Sequence, residues 1–415
     1  MPYRETIGRR SWRAGHDSNQ IALVKKRRNP ETPVYQTHLA CTNNWQYPMS
    51  SIAIRRCTDW QAPRSSVYEL LRRICNAFKL ADTLQSRETE ISRGTVWTEA
   101  GWCNRQRPLL DALRTGDLAS INDAMETFFS SGSAYGFALG ADEYLSITAC
   151  AAREERYIQE WLNRLHAVAV CMGVENARNP ERELGDERSS AVPDAGDLLR
   201  KIEAMTGVAV DFPPVMGCFG CSVAGAARPI PYQALSYYFV AANCINLTGS
   251  GRRRFVEFGS GFGGVAYYLA KHGLHRYTSY DFPFACAVQA YFLGNTLGAD
   301  FIRLYGEEET ALSKIELLPV SDLATSPAPP HDLLVAQDSL VEVDSREAAL
   351  ILKQLLTRNE WGFVSIAPDF SGSTSDWDGT RVREILPDIN GYRLALRLPF
   401  ALRAGHMFEM YLRAQ

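Results

Sequence analysis

The chain lacks most of the features that would fix its class at a glance. Its 415 residues contain no run of about 18 apolar residues, the length a membrane-spanning helix requires. The N-terminal stretch MPYRETIGRRSWRAGH is charged and has no apolar segment behind it, so it does not read as a secretory leader. The expectation is a cytoplasmic protein without a membrane partner. There is no basic excess: 44 Lys and Arg stand against 47 Asp and Glu, a net charge of −3. That argues against a non-specific nucleic-acid binder and for a small or neutral substrate. A zinc framework is also missing, because Cys218 and Cys221 form a C-x-x-C with no second pair at a suitable spacing. The ten cysteines are scattered, as in a reduced cytosolic enzyme, and GCFGC reads as a turn of small residues. No metal is expected: Asp369, Asp376 and Asp378 sit in APDFSGSTSDWDG without diagnostic spacing and read as turn and capping residues. No internal repeat is visible, and a homo-oligomer is left open.

What is present divides into three segments. Residues 1–60 carry ten Lys and Arg against four acids, including KKRRNPETP at 25–33, and show no sustained period. They read as a basic, flexible arm. Residues 61–248 are mostly helical in pattern: Leu70, Leu71, Ile74 and Phe78 recur at helical spacing, and EERYIQEWLNRLHAVAVCMGV repeats the behaviour. From 249 to 415 short apolar strands alternate with helices, with strands expected at 253–259, 277–281, 301–306, 332–338, 362–368, 392–399 and 406–413. Such alternation predicts an α/β fold with a parallel sheet covered on both faces. The last two strands are joined only by FALRAG, too short for a crossover, so they pair antiparallel.

The chemistry concentrates in FVEFGSGFGGVAYY at 255–268. Gly259, Gly261 and Gly264 fit G-x-G-x-x-G, which seats a dinucleotide on a helix N-terminus. Glu257, Gly259, Gly261 and Gly263 equally fit E-x-G-x-G-x-G, a loop that holds S-adenosylmethionine. Glu257 separates the two, because an acid at the end of a buried strand suits a cofactor with a positively charged amino-acid tail. The antiparallel pair at the C-terminus and the lack of a further catalytic domain downstream point the same way. Asp281 ends the second strand, where a carboxylate can accept from ribose hydroxyls, and it also suits an N-cap. Tyr305-Gly306-Glu307 ends the strand read as third, at the loop expected to pass the adenine.

On these residues the C-terminal part resembles the Rossmann-like, class I S-adenosylmethionine-dependent methyltransferases, and within them the sugar O-methyltransferase family of glycan and secondary-metabolite pathways. VEFGSGFGGVAYYLAK, SYDFPFACAVQAYFLG and VAQDSLVEV follow one another in that family's order, and PPVMGCFGCSVAG with YQALSYYFVAANCINLTG is similar to its approach to the glycine loop. The resemblance implies seven strands in the order 3-2-1-4-5-7-6 behind a helical N-terminal domain. It implies S-adenosylmethionine held by Glu257, Gly259, Ser260, Gly261, Gly263, Asp281, Phe282, Gly306, Glu307 and Gln337. The acceptor would be a hydroxylated small molecule, a sugar or glycoside, and nucleic acid is disfavoured.

A hydroxyl needs a base as methyl transfer develops. Asp338 leads, because it sits at the C-terminal end of a strand where α/β sites lie; Glu342 and His406 follow. His331 precedes its strand and lies at the wrong end. Other readings of the same residues are a small-molecule N-methyltransferase, a nicotinamide oxidoreductase on the same loop, and a scaffold without catalysis. The aromatic residues of the helical half, among them Trp97, Trp102, Tyr135, Tyr144, Tyr237 and Tyr238, suit core packing or stacking on a sugar.

Overall fold

The computed structural model describes residues 52–57, 64–87, 100–134, 136–137, 140–175, 194–249, 251, 253–369, 382–386, 389 and 391–414. The basic run at 25–33, Trp97, Tyr135, Asp376 and Asp378 lie outside them, as does the side chain of Trp102. In chain order the strands are β1 (Ala53–Cys57), β2 (Cys218–Ser222), β3 (Arg254–Phe258), β4 (Arg276–Asp281), β5 (Ile302–Leu304), β6 (Ile315–Pro319), β7 (His331–Gln337), β8 (Asn359–Pro368), β9 (Tyr392–Pro399) and β10 (His406–Arg413). The α-helices are α1 (Arg64–Arg87), α2 (Ala100–Thr115), α3 (Leu118–Glu126), α4 (Ala141–Thr148), α5 (Ala151–Cys171), α6 (Ala195–Thr206), α7 (Tyr232–Thr248), α8 (Gly264–Lys271), α9 (Pro283–Leu297), α10 (Ser345–Thr357) and α11 (Val382–Ile385).

Eight strands form the main sheet in the order β5-β6-β4-β3-β7-β8-β10-β9. The pairings from β5 to β8 are parallel, and β10 runs antiparallel to both β8 and β9. The expected strand at 301–306 shrinks to three residues at the edge, and the neighbour of β4 is Ile315–Pro319. The sequence hides β6 because Glu316 interrupts its apolar run. That carboxylate is buried and tied to Arg303 and to Arg276, the latter at 3.5 Å, pairings that appear only after folding.

Alternation along the strands builds two cores. Phe255, Leu333, Val335, Val364 and Ile366 face the helical half and α8–α9, whereas Val256, Phe258, Leu334, Ala336 and Phe363 face α10 and α11. Glu257 lies between Val256 and Phe258 and so points with Phe255 toward the helical half.

The first of these cores is continuous from Ile52 to Met410, so helices and sheet share one interior. Two glycines permit the closest approaches. A Cβ on Gly294 of α9 would lie 2.8 Å from a methyl of Leu70, one on Gly264 of α8 2.4 Å from the Tyr237 ring. At the first contact Arg73 of α1 binds Glu307 at 2.7 and 2.8 Å and reaches the carbonyls of Ala299 and Ile302 at 2.8 and 3.0 Å. On α5, Tyr157, Ile158, Trp161, Leu162, Leu165 and Val168 form the buried stripe, and the Trp161 indole donates to the Ile230 carbonyl at 3.0 Å.

Two further expectations need correction. Residues 53–57, within the segment read as a flexible arm, form β1 and pair with β2 from Ala53–Ser222 to Cys57–Cys218. GCFGC is accordingly a buried strand, not a turn. Its Gly220 admits the Ile230–Pro231 backbone, which a Cβ would meet at 2.3 Å.

Candidate functional site

A cavity of about 440 Å³ opens at the C-terminal ends of β3, β4 and β7, within the usual range for small-molecule sites. β3 meets β4 on one side and β7, the later crossover, on the other, so the cavity lies where the strand order reverses, the position α/β sheets reserve for ligands. Glu257, Gly259, Ser260, Gly261, Asp281, Phe282, Gln337, Asp338 and Glu342, all expected from the sequence, line it.

The turn after β3 is held by its glycines. Gly259, Gly261 and Gly263 have φ of 71°, 60° and 93°, the left-handed region that side chains disfavour. A Cβ on Gly259 would lie 2.1 Å from that of Ser339, whose hydroxyl donates to the Phe258 carbonyl at 2.5 Å. At Gly261 the same atom would meet only Phe137, at 3.8 Å, so the backbone there faces open space. Gly263 does not line the cavity but caps α8, packed against Leu293.

Asp281 locks the turn to β4. Its carboxylate accepts from the amides of Gly261 at 3.1 Å and Phe282 at 2.8 Å and from the Gln289 side chain at 3.1 Å. Ser260 joins the Ser279 hydroxyl at 2.7 Å and accepts from Tyr277 at 3.1 Å. The Tyr277 hydroxyl also donates to Glu257. Both acids are almost wholly buried, at 2% and 5% exposure for Glu257 and Asp281. Burial pushes the Glu257 carboxyl up to about 8, the Tyr277 bond opposing and Asp281 adding to the rise. Burial likewise pushes Asp281 up to about 7 against its hydrogen bonds. Among the described residues no Lys or Arg forms an ion pair with Glu257. Gln337 presents a buried amide oxygen with no protein donor among them.

On the β7 side Asp338 has φ of 61°, a strained conformation of the kind found at functional sites, fixed by its amide bond to the Ile366 carbonyl at 2.8 Å. Its carboxylate meets Arg403 at 2.5 Å and His406 Nε2 at 3.0 Å. His406, expected from the sequence as a further candidate base, is thus buried beside Asp338. His331 lies at the opposite end of β7, its ring bonded to the Pro329 carbonyl at 2.8 Å and pushed by burial down to about 4.

Gly306 and Glu307 are outside the cavity. They follow the edge strand β5, where Glu307 binds Arg73 and caps the Leu304 amide at 2.9 Å. The cavity wall beyond β4 is instead Val320, after β6. Asp369 pairs with Arg397 at 3.0 Å, and no cluster of metal-ligating side chains occurs among the described residues. No described helix is long and apolar enough to cross a membrane.

Tyr237 of α7, one of the aromatics the sequence offered for packing or stacking, lines the cavity, whereas sequence reasoning missed Arg164 of α5, Tyr232 and Ser236 of α7, and Arg403 and Phe400 from the β9–β10 turn. Tyr144 and Tyr238, by contrast, are packing residues, against Phe219 and against Tyr268. One signal was present for Arg164, which sits three residues after Trp161 and four before Val168 on the buried stripe of an amphipathic helix, where a charge is rare.

No family model and no curated protein matches the chain. Solved structures similar to it include magnesium protoporphyrin IX methyltransferase from Synechocystis PCC 6803 with bound SAH, at 16% identity over 43% of this chain and 82% of that one, with a TM-score of 0.33. The mitomycin 7-O-methyltransferase MmcR is 17% identical over 64% of this chain and 100% of its own, with a TM-score of 0.32. The cyclase SpnF is 12% identical over 44% and 82%, with a TM-score of 0.33. Likeness of this degree does not decide a reaction; the chemistry of the site does.

Proposed function

We propose that the protein is an S-adenosylmethionine-dependent methyltransferase that transfers the methyl group in line to a hydroxyl of a sugar or glycosylated secondary metabolite. The observation that carries the reading is the pair of buried acids on adjacent parallel strands, Glu257 and Asp281, flanking a glycine turn that faces a cavity. A buried carboxyl whose protein partner is a tyrosine hydroxyl is suited to a cationic ligand group. Glu257 would hold the ammonium of the methionine tail. Asp281, already orienting the Gly261 amide, would accept from the ribose hydroxyls, and Gln337 and Phe282 would face the nucleoside.

Bound there, the sulfonium supplies an activated methyl group, so the protein's task is alignment and exclusion of water. Asp338 would take the acceptor's proton. Each oxygen of a carboxylate has two lone pairs, so bonds to Arg403 and His406 leave room for a hydroxyl. Those two residues fix its orientation, and Glu342, on the same cavity wall, would meet a second acceptor hydroxyl. Phe137, Arg164, Tyr232, Ser236 and Tyr237 of the helical half line the cavity and would select the acceptor.

Calorimetric titration with S-adenosylhomocysteine, with NADH in parallel, tests the reading. Micromolar binding of S-adenosylhomocysteine alone is expected; binding of NADH alone would replace the methyltransferase by an oxidoreductase.

A further inference from the structure

The cavity wall contributed by the helical half carries a buried cation with no acid in ion-pair contact among the described residues. Arg164 is 8% exposed. Its Nη1 donates to the Ser236 hydroxyl at 3.0 Å and to the Tyr232 carbonyl at 3.4 Å, and the guanidinium lies 3.4 Å over the Tyr232 ring. No acceptor among the described residues takes its Nε or Nη2, and no Asp or Glu among them forms an ion pair with it. Burial, with the nearby Arg403, works against its charge and outweighs the favouring influence of Tyr232, Glu160 and Tyr157. A guanidinium kept in such a place is costly unless an anion meets it.

We propose that Arg164, positioned by Ser236 and Tyr232, is a carboxylate-binding subsite of this cavity. The Nε–Nη2 edge of a guanidinium is a planar two-donor fork that matches the two oxygens of a carboxylate. A singly charged carboxylate suits this wall better than a phosphate dianion: of the two guanidiniums that line the cavity, Arg403 is matched by Asp338, and Glu257, Asp281 and Glu342 line it as well, so Arg164 is a single cation on a wall otherwise rich in acids. The subsite rests on the methyltransferase reading only for the source of its ligand, since both the amino-acid tail of the methyl donor and an acidic acceptor present the same group.

The test compares wild type with Arg164→Met and Arg164→Lys, each checked for folding by thermal melting. Two pairs of probes differ in a carboxylate-bearing part: S-adenosylhomocysteine against methylthioadenosine, which lacks the amino-acid tail, and glucuronate against glucose on protein saturated with S-adenosylhomocysteine. If the donor's tail occupies the subsite, Arg164→Met weakens S-adenosylhomocysteine by about tenfold to a hundredfold and leaves methylthioadenosine unchanged. If the acceptor does, the variant spares S-adenosylhomocysteine and erases a wild-type preference for glucuronate over glucose. Arg164→Lys, which keeps the charge without the fork, gives a smaller loss in either arm and guards against a packing defect in the Met variant. The proposal is overturned if Arg164→Met binds S-adenosylhomocysteine as wild type does and glucuronate is either not preferred or preferred equally by both proteins. Wild type that binds neither nucleoside would sink the methyl-donor reading instead, and the glucuronate–glucose comparison on nucleoside-free protein then decides the subsite by itself.

Discussion

Titrating the protein with S-adenosylhomocysteine at pH 7 should release protons to the buffer, in a number that follows from the two buried carboxyls. With Glu257 pushed up to about 8, roughly nine molecules in ten carry its proton at pH 7 before ligand arrives. With Asp281 at about 7, roughly half carry the second. An ammonium beside Glu257 and ribose hydroxyls donating to Asp281 both favour the charged forms, so full ionisation releases up to about 1.4 protons. Because Asp281 raises Glu257, the count belongs to the pair and not to either acid alone. At pH 9 both acids are already ionised in the free protein, and the release falls to about 0.1 proton. Calorimetry in phosphate and in Tris at each pH gives the number from the dependence of the heat on buffer ionisation enthalpy. Glu257→Gln should remove the larger share at pH 7. Fewer than about 0.3 protons released by wild type, or an undiminished count in Glu257→Gln, would refute the assignment of the ammonium to this acid. The same carboxyls set the stability of the free protein. The fold retains protons that the unfolded chain gives up above the ordinary carboxylate range, so the contribution of these two acids declines as pH rises from about 5 to about 8, opposed below the ordinary histidine range by His331, whose ring burial holds down at about 4. Glu257→Gln should flatten that decline in thermal melts.

Gly259→Ala would place a methyl against Ser339 in a left-handed backbone; it is expected to lower stability by about 1–3 kcal/mol, read by denaturant unfolding, with partial recovery in Gly259→Ala, Ser339→Gly. Arg73→Ala strands the part-buried Glu307 and two carbonyls and should cost about 1–3 kcal/mol. A change below about 0.5 kcal/mol would mean that α1 is held by Leu70 and its apolar neighbours alone. Asp338→Asn should leave S-adenosylhomocysteine binding intact and lower turnover on an identified acceptor by about 100-fold, in keeping with loss of a general base. Unchanged turnover across pH would remove Asp338 from that role.

The site's sheet side was readable because its requirements are local. A turn with three left-handed residues asks for glycine at each, and an acid ending a buried strand stands out against its neighbours, so Glu257, Gly259, Gly261 and Asp281 could be chosen from two short stretches. Other parts depend on partners far along the chain. β6 looks like a loop until Arg303 and Arg276 neutralise Glu316. Assigning the third strand to the run before Gly306 carried Glu307 into the site with it, whereas Arg73, 234 residues away, holds that acid elsewhere. β1 is short, with exposed arginines, and becomes a strand only because β2 offers it an edge. The cavity wall opposite the glycine turn joins positions 164, 236 and 403, which no local pattern connects.

The Tyr237 ring rests where a side chain on Gly264 would have to be, and the two residues belong to different halves of the molecule. Neither can be enlarged independently: a side chain at 264 is tolerated only if 237 first loses its ring, and with the ring goes part of the cavity wall. Descendants of this chain should therefore change the two positions together or not at all. A lineage that adapts to bulkier ligands by trimming residue 237 would acquire a new freedom at residue 264, leaving in its sequence a paired mark of the altered preference.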